Sequence, residues 1–176
     1  MDYFVYQDVL TESLIQEILS AVKKKKLYEG KVGYKINYKK KIRYDLFMNE
    51  KEKEILSKID NIVYNRVYKS ILNKFNKNIK YREQWKVGKY VSDRKGFYDY
   101  HRDDVYETKY RNISCVLALS EPDDYQGGEL HFKELGIKFK LKKNSMIFFK
   151  SSLLHGVTPV TSGERYVLIG FMFDDD

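Results

Sequence analysis

Near Asn78 the chain changes rhythm, and that change limits the folds open to it. Upstream, apolar residues recur at three and four residues, the helical spacing. Thr11 reads as an N-cap, with Leu14, Ile15, Ile18, Leu19 and Val22 behind it. Lys23 to Lys26 suit that helix's last turn, where cations favour the dipole. Asn49 opens a longer helix whose apolar stripe is Ile55, Ile59, Ile62, Val63, Val67, Ile71, Leu72 and Phe75. Residues 2–7 add a short strand, and 30–47 read as a strand with a mobile loop. Downstream, segments near 80–91, 97–103, 111–119, 128–133, 136–141, 145–149 and 164–173 read as strands. Turn signals at Gln126-Gly127-Gly128, Leu135-Gly136 and Ser162-Gly163 separate them. Helices first and strands afterwards predict an α+β fold, with the helices on one face of a largely antiparallel sheet system. No repeat or linker divides the chain, so one domain is expected over 1–176: helical support over 1–79 and a strand-rich catalytic core over 80–176.

Composition narrows the class. A length of 176 residues suffices for a buried core, and 43% hydrophobic residues with two prolines exclude a disordered chain. No apolar run reaches membrane-spanning length and the opening residues lack signal-peptide order, so no membrane partner is expected. The single cysteine, Cys115, excludes an intramolecular disulfide framework and fits a reducing, intracellular compartment, the cytoplasm. The formal charge of +8, with lysines clustered at Lys23 to Lys26 and Lys39 to Lys41, fits solvated faces. It leaves open an acidic peptide or nucleic acid as partner, although no nucleic-acid motif accompanies it.

The chemistry gathers at Tyr98-Asp99-Tyr100-His101-Arg102-Asp103, together with His155 and Arg165. On a strand, His101 and Asp103 share a face. An imidazole and a carboxylate side by side, joined by a second imidazole from a distant strand, make the facial triad of open-site, non-heme Fe(II). Asp104 points the other way by the same period. Arg165 opens Arg-Tyr-Val-Leu-Ile-Gly-Phe-Met-Phe, apolar on both faces, where a charge needs a partner. A guanidinium there suits a carboxylate, from the protein or from an acidic co-substrate. His131 reads as a strand residue at a rim and Cys115 as a small core residue.

His-x-Asp, a strand-rich interval, a histidine and an arginine ten residues later resemble the Fe(II)- and 2-oxoglutarate-dependent dioxygenases, and within them the prolyl 4-hydroxylase-like branch. The resemblance runs from about Tyr81 to Asp174. It takes in Tyr90, Gly96-Phe97-Tyr98, Arg111-Asn112-Ile113-Ser114 and Leu117-Ala118-Leu119. It continues through Glu121 to Leu130, His155-Gly156-Val157-Thr158-Pro159-Val160 and Gly163-Glu164-Arg165-Tyr166. A fainter echo, Ile42-Arg43-Tyr44-Asp45, resembles an arginine-x-aspartate near the peptide in relatives acting on protein prolines.

The resemblance implies a double-stranded β-helix (jelly roll) with supporting helices outside. It implies that His101, Asp103 and His155 hold Fe(II), and that Arg165 binds the distal carboxylate of 2-oxoglutarate, with Tyr90 hydrogen-bonding the same co-substrate and Thr158 in an outer contact. Tyr98 and Arg111 match positions lining the proline pocket, and Arg43 and Asp45 count as substrate-binding by the same likeness. The implied cofactor set is Fe(II) with 2-oxoglutarate and O2 as co-substrates, ascorbate being an optional addition. Two departures stand out: Ala118 replaces a tyrosine of some relatives, and Val167 a serine or threonine. The function implied is hydroxylation of prolyl residues in a peptide or protein, with release of succinate and CO2. The same chemistry on a free amino acid or nucleotide, and a silent binding module that retains the barrel, stay open.

Overall fold

The computed structural model describes residues 1–174. Thr11 caps α1 (Glu12–Lys23) by accepting the Leu14 N–H, and Leu14, Ile15, Ile18 and Val22 are its buried face. Only Lys23 of the lysine cluster falls inside the last turn; Lys24 is already the C-cap. Asn49 caps a short 3-10 turn, Glu50–Glu52, that leads into α2 (Lys53–Phe75). The buried stripe of α2 narrows to Ile59, Val63, Val67 and Ile71, and Leu72 is 37% exposed.

The first part of the chain also supplies strands: β1 (Tyr3–Tyr6), β2 (Tyr28–Glu29), β3 (Lys41–Ile42) and β4 (Tyr44–Phe47). The segment expected over 80–91 is broken into β5 (Tyr81–Arg82) and β6 (Lys86–Val91). After β7 (Phe97–His101) and β8 (Ile113–Ala118) come β9 (Tyr125–Gly127), β10 (Leu130–Phe132) and β11 (Ile137–Phe139). β12 (Met146–Lys150), β13 (His155–Val157) and the long β14 (Val160–Phe173) complete the set. The larger sheet runs β1-β12-β8-β14-β6-β4-β2, with β5 and β9 also paired to β14. The smaller runs β11-β10-β13-β7-β3, and the two antiparallel sheets form a jelly roll.

Strand alternation divides the apolar residues between two cores. Leu168 and Met172 of β14 face the helices with Trp85, Leu117, Phe148 and the stripes of α1 and α2. Val167, Ile169 and Phe171 face the barrel interior with Tyr90, Phe132, Ile147 and Phe149. Gly170 is required on the helix side, since a Cβ there would lie 2.2 Å from Trp85 Cζ3. The Trp85 indole is itself fixed, donating to Asp60 of α2 at 2.8 Å. Helices therefore cover one face of the larger sheet and leave the interior, with its opening, to the smaller one.

Candidate metal centre and acid pocket

His101 ends β7 and His155 begins β13, and antiparallel register sets them opposite each other. Each ring is pinned by its outer nitrogen. His101 Nδ1 lies 2.8 Å from the Asp99 carbonyl, and His155 Nδ1 lies 2.8 Å from the Leu153 carbonyl. A carbonyl only accepts, so Nδ1 carries the proton and Nε2 keeps its lone pair. The sequence pattern puts Asp103 on the same strand as His101, but β7 stops at His101 and Asp103 lies in the bend that follows. The bend is held instead by hydrogen bonds: Asp103 N–H donates to the Ser151 carbonyl at 2.9 Å, and Ser114 Oγ donates to Asp103 Oδ2 at 2.7 Å.

The resulting geometry is tight. His101 Nε2 lies 3.4 Å from Asp103 Oδ1 and His155 Nε2 lies 3.3 Å from Oδ2. One ligand atom from each of the three residues fits within 4.8 Å of the others. Burial pushes His155 below its ordinary pKa, which keeps its imidazole neutral and able to coordinate. Burial works against ionisation of Asp103, but positive charge on His155 and His101 when these rings are protonated, together with the Ser114 hydroxyl, more than offsets it, and the carboxyl sits well below the usual range. Two neutral nitrogens and a carboxylate suit a divalent first-row metal, and three protein donors leave coordination positions for exchange. That is the mark of a reactive metal site, whereas a structural metal is closed off by its protein ligands.

Arg165 lies further along the same interior, opposite Tyr90 in the β14–β6 register. Its guanidinium is 5.1 Å from the Tyr90 ring, the residue is 5% exposed, and no carboxylate among the described residues pairs with it. The Tyr90 hydroxyl accepts from Arg43 Nη1 at 3.3 Å. Ala118 and Val167, the two departures, are cross-strand partners and make an apolar wall. The Thr158 hydroxyl is taken up by Glu129, whose N–H donates to it at 2.9 Å and whose carboxylate accepts from it at 3.2 Å.

Tyr98 stacks on His101 with 3.6 Å between ring centroids, and burial raises its phenol pKa so that it stays neutral. Arg111 donates through both ends of its fork to Glu83 and through Nη1 to the Asp103 carbonyl at 3.2 Å. Arg43 and Asp45 are buried and paired with each other, at 2.5 Å and 3.1 Å, and Lys41 Nζ shares the same carboxylate at 3.2 Å. Gly88 makes room for that pair: a Cβ there would lie 2.9 Å from Arg43 Cδ. His131 sits on β10 with its Nδ1 against the Tyr100 hydroxyl, a rim residue outside the triad. Cys115 is buried against the Gly170 carbonyl, on the helix side of the sheet. The sequence pattern does not single out Ser151, Glu83, Lys41 or Lys86, and it gives Ser114 no role. Lys86 is within reach of such a reading, since it alternates with Gly88 and Tyr90 and must share their face.

A barrel with these three donors, and a guanidinium that no carboxylate among the described residues pairs with, suits a metal-dependent enzyme that takes an acidic co-substrate. The sequence profile of the 2OG-Fe(II) oxygenase superfamily matches residues 85–173, about half of the chain. The chain belongs to that superfamily, whose chemistry rests on Fe(II), 2-oxoglutarate and O2. It is 46% identical over 80 residues to a PKHD-type hydroxylase of Colwellia psychrerythraea, covering 42% of this chain and 36% of that protein. The aligned stretch thus spans about a third of the length of that curated relative. In three dimensions it resembles a Pseudomonas putida prolyl-4-hydroxylase, with a TM-score of 0.74 at 18% identity over 99% of this chain and 94% of that one. It also resembles a Trichoplax adhaerens prolyl hydroxylase solved with a hypoxia inducible factor peptide fragment, with a TM-score of 0.78 at 16% identity over 99% and 84% of the two chains.

Proposed function

We propose that this chain hydroxylates prolyl residues of a peptide or protein, consuming O2 and 2-oxoglutarate and releasing succinate and CO2. His101, Asp103 and His155 are the Fe(II) ligands in this reading, and Arg165 anchors the co-substrate. The observation that carries it is the coexistence, in one barrel, of donor atoms within 4.8 Å of one another and a buried guanidinium that no carboxylate among the described residues pairs with. When bound, Fe(II) supplies the O2 activation that couples decarboxylation of 2-oxoglutarate to insertion of oxygen into a C–H bond. The chain's own residues do the positioning. Arg165 grips the distal carboxylate with its planar fork, beside Tyr90, which Arg43 orients. Ser114 and Arg111 hold the two ends of Asp103, its carboxylate and its carbonyl.

Tyr98, stacked on His101, and Arg111 line the proline pocket in this reading, and Arg43 and Asp45 act from beneath by fixing Tyr98 and Tyr90. The segments over 32–45 and 92–98 act as lids in this reading; β3 and the start of β4 anchor the first and the start of β7 the second, and Arg94 joins them by reaching the Tyr44 hydroxyl at 3.1 Å. The peptide fragment in complex with the Trichoplax adhaerens prolyl hydroxylase, together with the hydroxylase name of the Colwellia psychrerythraea relative, supports a peptidyl substrate. Mass spectrometry of proline-rich peptides incubated with protein, Fe(II), 2-oxoglutarate and ascorbate tests the proposal. One oxygen atom gained on proline, matched by succinate, is the expected result. Succinate without modified proline moves the substrate elsewhere, and no succinate from any peptide rejects the peptidyl-prolyl reading.

A further inference from the structure

Lys86 is a charged side chain on the inward face of the larger sheet that the proposed mechanism leaves unused and, unlike the buried Lys41, it has no carboxylate beside it among the described residues. It shares the inward face of β6 with Gly88 and Tyr90, and stands opposite Phe47 of β4 and Ile169 of β14. Its Nζ lies 5.6 Å from the Phe47 ring and 5.0 Å from the Phe171 ring, and the residue is half-buried. No carboxylate or hydrogen-bond acceptor among the described residues pairs with its ammonium. The charges it feels are those of Arg43, Asp45, Asp103 and Arg111, and burial pushes its pKa down to about 8, so it remains mainly cationic at neutral pH.

None of those neighbours compensates it. Asp45 is shared by Arg43 and Lys41, and Arg111 is neutralised by Glu83. Asp103 belongs to the triad. In a loaded site the dication, the Asp103 carboxylate, the dianionic co-substrate and Arg165 sum to zero, so Lys86 is left over as positive charge facing the opening. Position separates it from the co-substrate anchor. Arg165 pairs with Tyr90 and Ile169 with Lys86, four residues apart on β14 and so about 13 Å along the strand. Ser114, which holds Asp103, pairs with Phe171, the next inward residue beyond Ile169. Lys86 therefore sits toward the metal end of the barrel, where a substrate enters.

We propose that Lys86 determines substrate specificity by binding a carboxylate of the substrate, so that the preferred target carries an anionic group beside the proline ring. The proposal rests on the prolyl reading above and deepens it. Two sources supply the same chemistry: the terminal carboxylate of a chain ending in proline, or an acidic side chain next to it. An ammonium already held between two rings and partly stripped of water loses little freedom when it takes up such a partner, which favours a charge-assisted hydrogen bond.

The test uses protein loaded with Mn(II) and saturated with 2-oxoglutarate, titrated by calorimetry with N-acetyl-L-proline and with its neutral amide. The acid should bind more tightly than the amide by about tenfold in the native protein and by less than about twofold in Lys86→Met. Lys86→Arg should keep the preference, and a melt of each variant, with Lys86→Gln as a second neutral replacement, verifies folding. Equal binding of acid and amide by the native protein, no binding of either, or a preference that survives Lys86→Met overturns the proposal. So does a Lys86→Met variant whose main defect is weaker 2-oxoglutarate binding. In turnover, three peptides identify the source: acetyl-Ala-Pro with a free terminus, acetyl-Ala-Pro-Asp amide and acetyl-Ala-Pro-Ala amide. If none is hydroxylated while the acid–amide difference in binding persists, the prolyl reading fails and the Lys86 site stands; hydroxylation of all three at equal efficiency sinks the Lys86 site alone.

Discussion

Arg165 is costly where it stands. A guanidinium 5% exposed beside the Tyr90 ring, without a carboxylate among the described residues, opposes folding, because burying an unpaired charge is penalised by several kcal/mol. A chain tolerates that cost when a ligand offsets it. Replacing the charge with an apolar side chain, Arg165→Met, should therefore raise the 2-oxoglutarate dissociation constant by on the order of 100-fold while leaving the melting temperature of the ligand-free protein unchanged or higher. Calorimetry and a thermal melt read the two effects separately; a lower melting temperature with unchanged co-substrate affinity would mean a purely structural arginine. The triad behaves differently. His101→Ala or Asp103→Ala should abolish succinate production with little loss of fold, since the two apolar cores carry the barrel without either residue. Ser114→Ala, which removes the hydroxyl donating to the Asp103 carboxylate, should weaken Mn(II) binding by about tenfold. Unaltered Mn(II) affinity in Ser114→Ala would show that the bend holds Asp103 unaided.

Among the elements, β14 does the most, because its two faces serve two purposes: Leu168 and Met172 meet the helices while Arg165, Val167, Ile169 and Phe171 build the pocket. Gly170 is the point where the faces come into conflict. A methyl group there meets an indole tethered to Asp60 that cannot retreat, so Gly170→Ala should destabilise by about 2 kcal/mol and lower the melting temperature by about 4 to 8 °C. A melt indistinguishable from the native protein would show that Trp85 has room to shift. The same element shows what is legible in sequence. Its unbroken apolar run and the stripes of α1 and α2 announce burial through local periodicity, and the arginine within it is conspicuous for that reason. The short β2 and β9 lie outside every segment expected to be a strand, because pairing with β4 and β14 alone defines them. Asp103 illustrates the limit well: the period of two names a residue that the structure brings beside both histidines although the strand ends before it, and contacts with Ser151 and Ser114, distant in sequence, supply the placement. Lys86 is inconspicuous in a lysine-rich chain, where one more lysine carries no signal until its face is considered.

Across the whole molecule, the excess of basic residues reaches the interior as well as the surface. Lys41 is 3% exposed, with Nζ near Asp45, the Lys31 carbonyl and the Tyr98 ring, and with Arg43 and Lys86 as like-charged neighbours. Burial first, then Arg43, pushes its pKa from 10.5 down to about 7. A group with a depressed folded pKa contributes stability that is fully present above the unfolded value and is lost as pH falls toward the folded one. Between pH 7 and 10 the unfolded chain binds more protons at Lys41 than the folded chain does, so stability rises with pH there, by at most about 1.4 kcal/mol per pH unit. Lys86, lowered by burial to about 8, adds in the same direction. The Cys115 thiol, raised by burial from an ordinary value of 9.0, opposes the trend only above that value, which leaves pH 7 to 9 as the clean window. The melting temperature should climb by about 3 °C or more between pH 7 and 9, and Lys41→Met should flatten much of that rise. A native protein whose melting temperature is level or falling across that window would mean that Lys41 keeps its charge inside the fold, held by Asp45 strongly enough to outweigh both its burial and the two cations beside it.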